Sequence, residues 1–110
     1  MRRALRERAF LRDAAQAYAY VARRSDAAAD RLLDELDRMV VLLAENPGVG
    51  AQRPELGEGV RSFPLRRYKY LIFYRYDEAV LRLLRFLHGA RDIAVAWSGG
   101  EPTDEDAPGG

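Results

Sequence analysis

The residues able to do chemistry crowd the second half of the chain. Arg61, Arg66, Arg67, Arg75, Arg85 and Arg91 supply guanidinium forks that suit phosphate or carboxylate. Tyr68, Tyr70 and Tyr74 supply phenols, and His88, the lone histidine, titrates near neutrality when unperturbed. Metal-free cleavage of a phosphodiester needs a base, an acid and cations around the pentavalent phosphorus. His88 with Arg61, Arg75 and Arg91 is the set that fits this chemistry, with Tyr68 or Tyr74 as a further proton carrier. Each member also has a structural reading. A histidine at the end of an apolar strand can satisfy a backbone group or Asp92, Arg91 and Asp92 can form an internal ion pair, and a row of tyrosines suits a half-buried sheet face. The structural readings carry more weight, so no residue is assigned a catalytic role. The same residues (Arg61, Arg66, Arg67, Tyr68, Tyr70, Tyr74, Arg75, Arg85, His88 and Arg91) are instead candidates for contacting a partner. If the tyrosine row faces outward it becomes a docking platform.

Composition excludes other chemistries. The 110 residues contain no cysteine and one histidine, which leaves no thiolate and argues against a zinc site, so neither metal nor cofactor is expected. Mean hydropathy is −0.36, and no apolar run approaches the roughly 20 residues of a membrane span. Arg6, Glu7 and Arg8 stand where a secretory signal would be apolar, so a cytoplasmic protein is expected. The net charge is +1, but residues 99–110 hold Glu101, Asp104, Glu105 and Asp106 and no base. Without them 18 basic and 13 acidic side chains remain, a net of +5. Seventeen of the 18 bases are arginine. A GC-rich codon bias explains arginine and alanine richness equally well, so composition alone does not show nucleic-acid binding.

These side chains must be positioned by a small α+β fold. Arg2–Arg8 reads as a short strand whose partner is left open. From Phe10 the spacing of Phe10, Ala14, Ala17 and Val21 predicts a helix closing at Arg23-Arg24. Ser25-Asp26 predicts a break and an N-cap. Ala29, Leu32, Leu33, Leu36, Val40 and Leu43 then form the stripe of a second helix, which Asn46-Pro47-Gly48 terminates after Glu45. So short a link makes the pair an antiparallel hairpin. Residues 46–59 read as a Gly/Pro-rich loop. Val60–Leu65 is a short strand, Tyr68–Tyr76 alternates as a second, Asp77-Glu78 is a turn, and Val80–Leu87 is an apolar strand flanked on both sides. The order is β-α-α-β-β-β, with the hairpin covering one face of a small, mainly antiparallel sheet. Residues 1–97 form one domain. Residues 98–110 are an acidic Gly/Pro-rich stretch expected to be disordered.

Several stretches in this order resemble one family. They are Asp13 with Tyr20-Val21-Ala22, Ala28-Ala29, Glu45 to Gly50, Arg53-Pro54-Glu55-Leu56, Arg61-Ser62-Phe63-Pro64, Tyr68, Tyr74-Arg75, and Arg85-Phe86-Leu87-His88-Gly89-Ala90-Arg91-Asp92-Ile93. Together, over residues 9–93, they are similar to the RelE/ParE superfamily of bacterial toxins from type II toxin–antitoxin systems, in its ParE-like branch. The arginine-rich first strand and the acidic extension depart from that pattern. The resemblance implies a growth-inhibiting toxin that binds DNA gyrase and blocks replication without covalent chemistry. It also implies neutralisation by a cognate, ParD-like antitoxin in a hetero-oligomer. The alternatives it leaves are a ribosome-dependent, metal-independent mRNA endoribonuclease of the RelE type, and an inactive homologue that only binds antitoxin. RelE-type members rely on lysine, arginine and a late tyrosine, whereas this chain has no tyrosine after Tyr76.

Overall fold

The computed structural model describes residues 1–97. The expectation for residues 98–110 lies outside them. In chain order the elements are β1 (Arg3–Arg6), α1 (Arg8–Ala22), α2 (Asp26–Glu45), β2 (Ala51–Gln52), β3 (Arg61–Leu65), β4 (Tyr70–Tyr76), β5 (Val80–His88) and α3 (Ile93–Trp97). Three short 3-10 turns, Pro47–Val49, Pro54–Leu56 and Arg66–Tyr68, fill the connections. The expected α+β arrangement is present, with two additions: β2 within the supposed loop, and α3 after the last strand. No described helix is long and apolar enough to cross a membrane.

The helical hairpin forms where the periodicity placed it. Ser25 is extended (φ −160°), and its hydroxyl accepts the Ala28 amide at 3.1 Å, so one orphan donor of α2 is satisfied. At the other end the Asn46 amide donates to Leu42 at 2.8 Å before Pro47 stops the helix. Leu32, Leu36, Val40 and Leu43 of α2 and Phe10 and Ala17 of α1 pack on Leu65, Ile72, Tyr74, Leu81, Leu83 and Phe86 of the sheet. Leu32 and Leu43 are wholly buried, and truncating either to alanine removes about 2–5 kcal/mol.

The sheet order is β1-β5-β4-β3-β2. β1 pairs parallel to β5, with Arg3 opposite Val80 and Arg6 opposite Leu83, which settles its partner; every other pairing is antiparallel. β5 is thus flanked on both sides, as its two apolar faces require. The alternation expected from Tyr68 starts only at Tyr70. Tyr68 lies in a 3-10 turn, and Lys69 takes a left-handed conformation (φ 59°) that redirects the chain into β4. A bulge follows: Phe73 faces Arg85 while Tyr74 faces Leu83, so Leu84 is the extra residue. The sheet face away from α1 and α2 has its own smaller core, where Phe73, Leu87 and Ala96 meet Leu56, Leu71, Ile93 and Trp97. Trp97 presents its ring edge-on to Phe73, with centroids 5.4 Å apart.

Candidate functional site

The dominant polar feature is internal. β1 leaves β5 after the Glu7 amide bonds Leu83, so the edge of β5 beyond it needs a new partner. Asp13 of α1 supplies one. Its carboxylate accepts the Phe86 amide at 3.0 Å and both forks of Arg85, Nε at 2.6 Å and Nη2 at 3.0 Å. Arg85 Nη1 donates to the Ala96 carbonyl at 2.8 Å. One buried ion pair thereby ties α1, β5 and α3, with side-chain exposures of 9% for Arg85 and 1% for Asp13. Arg85, expected among the partner-contacting residues, is held here by internal bonds: the bulge at Leu84 sets it opposite Phe73 on the face of α3, where it bonds Ala96, and its other nitrogens reach Asp13 of α1.

The tyrosine row is likewise packed inward. Tyr74 is fully buried. Its hydroxyl donates to the Pro47 carbonyl and accepts the Gly50 amide at 2.9 Å, clamping the loop after α2 onto the sheet. Burial pushes its phenol pKa up. Tyr70 stacks on Phe86 at 4.8 Å, and burial pushes its pKa up to about 12, so it stays a phenol throughout the physiological range. Neither forms an outward platform, because α1 and α2 cover the face they occupy. Arg61 serves the same loop, donating to the carbonyls of Gly50 (2.8 Å) and Gly48 (3.3 Å) and lying over the Tyr76 ring.

The other candidates are dispersed. His88 meets Tyr70 edge-on at 5.1 Å, and its Nδ1 accepts the Ala90 amide at 3.1 Å rather than pairing with Asp92. Burial first, and Lys69 second, lower its pKa, which keeps it neutral at pH 7. Arg91 makes no ion pair with Asp92, whose carboxylate instead accepts the Val95 amide at the start of α3. Arg91 buries its Nε and Nη2 without a hydrogen-bond partner, as Tyr70 does its hydroxyl. Arg66 opens the 3-10 turn that ends at Tyr68. Arg67 and Tyr68 line a cleft of about 220 Å³ against Arg31, Asp34, Glu35 and Arg38 of α2. Arg75 is exposed on the opposite face of the sheet from Tyr74. Arg61 and Arg75 thus point to different faces, and His88 and Arg91 lie at the far end of β4. The set that would have to converge for acid–base chemistry is not gathered into one cleft.

The feature that sequence reasoning missed is on the helices. Ala14, Ala15 and Tyr18 of α1 and Leu33 of α2 line an open, almost wholly apolar groove of about 330 Å³. Leu11, 53% exposed, stands one turn before it on α1. Tyr18 reaches over to α2 and donates to Asp30 at 3.0 Å. The signal was present in the spacing: Leu11, Ala15, Tyr18 and Ala22 repeat at helical intervals beside the core stripe, so α1 is apolar on two flanks.

Comparison with known proteins agrees with this geometry. Residues 5–93 match the family described as the ParE toxin of the type II toxin–antitoxin system parDE. A solved structure of the chromosomal ParDE system of P. aeruginosa superimposes with a TM-score of 0.65 at 24% identity, covering 78% of this chain and 94% of that one. No curated protein sequence gives a significant match. With the match running from β1 to the start of α3, this chain belongs to the ParE toxin family of type II toxin–antitoxin systems.

Proposed function

We propose that the chain is a cytoplasmic growth inhibitor that binds DNA gyrase without covalent chemistry, and that a cognate antitoxin silences it by laying an apolar helix into the groove on α1. The groove is the observation that carries the antitoxin half of this reading. Ala14 and Ala15 let another backbone approach closely, while Leu11, Tyr18 and Leu33 offer side-chain contact at the intervals an amphipathic helix presents. The basic surface of residues 1–97 favours an acidic partner by steering. The non-catalytic half is supported by how the reactive side chains are used. Tyr70, Tyr74 and Arg85 are buried, Arg61 holds two carbonyls, and His88 already accepts a backbone amide.

Induction of the chain without its antitoxin tests the target. Growth, plasmid supercoiling and bulk translation are followed together. Loss of supercoiling with filamentation, while translation continues, is the expected result. An immediate stop in translation would assign ribosome-dependent RNA cleavage instead, and unimpaired growth would mark an inactive homologue. Ala15→Arg fills the groove with a long cation. It is expected to leave toxicity intact while abolishing rescue by the antitoxin, and full rescue would exclude the groove as the docking site.

A further inference from the structure

Asp13 shows how this molecule seats a carboxylate. It takes the side-on edge of Arg85, Nε and Nη2, together with a third donor, the Phe86 amide. Where β4 begins and β5 ends, a second donor set of the same kind stands without an acceptor. Tyr70 is opposite His88 in the register, and the Gly89 amide donates to the Lys69 carbonyl at 2.7 Å. These contacts fold the turn after β5 back onto the start of β4, and the Arg91 amide closes it on the His88 carbonyl at 3.1 Å. Arg91 is thereby brought beside Tyr70, close enough for its charge to act on the phenol.

Three donors at this place are buried without a hydrogen-bond partner: Arg91 Nε, Arg91 Nη2 and the Tyr70 hydroxyl. Tyr70 is only 4% exposed, and its ring is held by the stack on Phe86 and the edge contact with His88. Burying such groups unpaired is costly, most of all for a guanidinium. The neighbouring acids do not answer the need. Asp92 gives its carboxylate to the Val95 amide, and Asp13 is taken by Arg85. Among the described residues no ion pair reaches Arg91. The other charges close by are cationic: Lys69 acts on His88, and Arg23 lies over the ring of Tyr20, whose phenol also faces Tyr70.

We infer that the Arg91 edge and the Tyr70 hydroxyl form a carboxylate-binding socket, filled by a free small acid or by an aspartate or glutamate of a partner protein. The planar fork of a guanidinium matches the two oxygens of a carboxylate in parallel bonds. Tyr70 stays protonated at physiological pH, so it donates the third bond, as the Phe86 amide does to Asp13. A phosphate brings more acceptor oxygens and more charge than three donors satisfy. Arg91 and Tyr20 are each only half-buried, and side chains at the surface exchange rotamers within nanoseconds, which gives the acid its way in. The socket shares no residue with the apolar groove on α1, so either can fail without the other.

The test follows the arginine Nε–H signals of the full chain by NMR. Sodium acetate is added in exchange for sodium chloride at constant ionic strength, and N-acetylglutamate methylamide and inorganic phosphate are titrated in parallel. The Arg91 signal is expected to move and saturate with a carboxylate, while that of Arg85, already filled by Asp13, stays in place. Tyr70→Phe should weaken the binding about tenfold, the worth of one hydrogen bond to a charged group. Arg91→Lys keeps the charge but loses the fork, and should abolish saturation. Saturation by the blocked glutamate, with or without acetate, assigns the socket to an acidic side chain of a partner; saturation by acetate alone assigns it to a free small acid. An Arg91 signal that neither carboxylate moves overturns the inference and leaves these donors as ordinary buried groups. Binding that survives Tyr70→Phe unchanged overturns it too, as does phosphate saturating the signal at lower concentration than either carboxylate.

Discussion

Asp13→Ala is expected to be among the most damaging single substitutions outside the apolar core. The carboxylate accepts three hydrogen bonds, two from Arg85 and one from the Phe86 amide, across 72 residues of sequence or more. An exposed ion pair would contribute no more than about 1 kcal/mol. At exposures of 9% and 1%, this pair falls in the other regime, where removing one partner strands a buried charge and costs about 3–5 kcal/mol. Small domains have about 5–15 kcal/mol in total, so the variant should unfold at far lower urea. Arg85→Met should cost a similar amount. The doubly substituted chain strands no charge and should be more stable than the sum of the two losses predicts, with a coupling of about 2–4 kcal/mol. Urea unfolding followed by far-UV circular dichroism gives these values. The fluorescence of Trp97, the sole tryptophan, adds a local reading. In Arg85→Met the loss of the bond to Ala96 should release Trp97 from Phe73 before the global transition. If either single variant costs less than about 1 kcal/mol, or the two losses simply add, the pair is not the buried tie described here.

Three further outcomes are expected. Gly50→Ala would drive a Cβ into the Tyr74 hydroxyl and to 2.9 Å from the Ser62 carbonyl, so it should lower thermal stability by about 1–3 kcal/mol and break the loop clamp. Ser25→Ala removes the cap of α2 and should cost about 1 kcal/mol in the same melting experiment. His88 has a folded pKa below its unfolded value of 6.5, so between the two the unfolded chain binds more protons and stability rises with pH. Its contribution is complete above 6.5 and lost as pH falls through the folded pKa. His88→Gln should therefore flatten the decline in melting temperature between neutral and mildly acidic pH, and an unchanged slope would contradict this.

Most of the fold was legible because long amphipathic patterns dominate it. The α2 stripe, the Ser25 cap and the Asn46-Pro47 stop define one helix, and Asp77 announces its turn through two amide bonds at 2.8 Å that also hold its carboxyl pKa down. The elements that escaped are those too short to carry a period: two-residue β2 and five-residue α3. The site was less legible. Arg85 looks like any strand arginine until the bulge at Leu84 and Asp13, far away in sequence, are brought together. Tyr70 and Tyr74 alternate as an exposed row would, and only the packing of the helices decides their side. The groove was written in the second apolar flank of α1, but such a flank is easily absorbed into the core stripe beside it.

The parallel pairing of β1 with β5 has a consequence for synthesis. Arg3–Arg6 cannot dock until Val80–Leu83 exist, so the first strand made waits for the last. The helical hairpin is complete by Glu45, while its main sheet partner β5 begins only at Val80. At roughly 5–20 residues per second that leaves a few seconds in which the apolar face of the nascent hairpin is uncovered. Contacts so distant in sequence also slow the closing step of folding. On the docking proposed above, the α1 groove that an antitoxin would use is therefore complete on the nascent chain before the sheet closes.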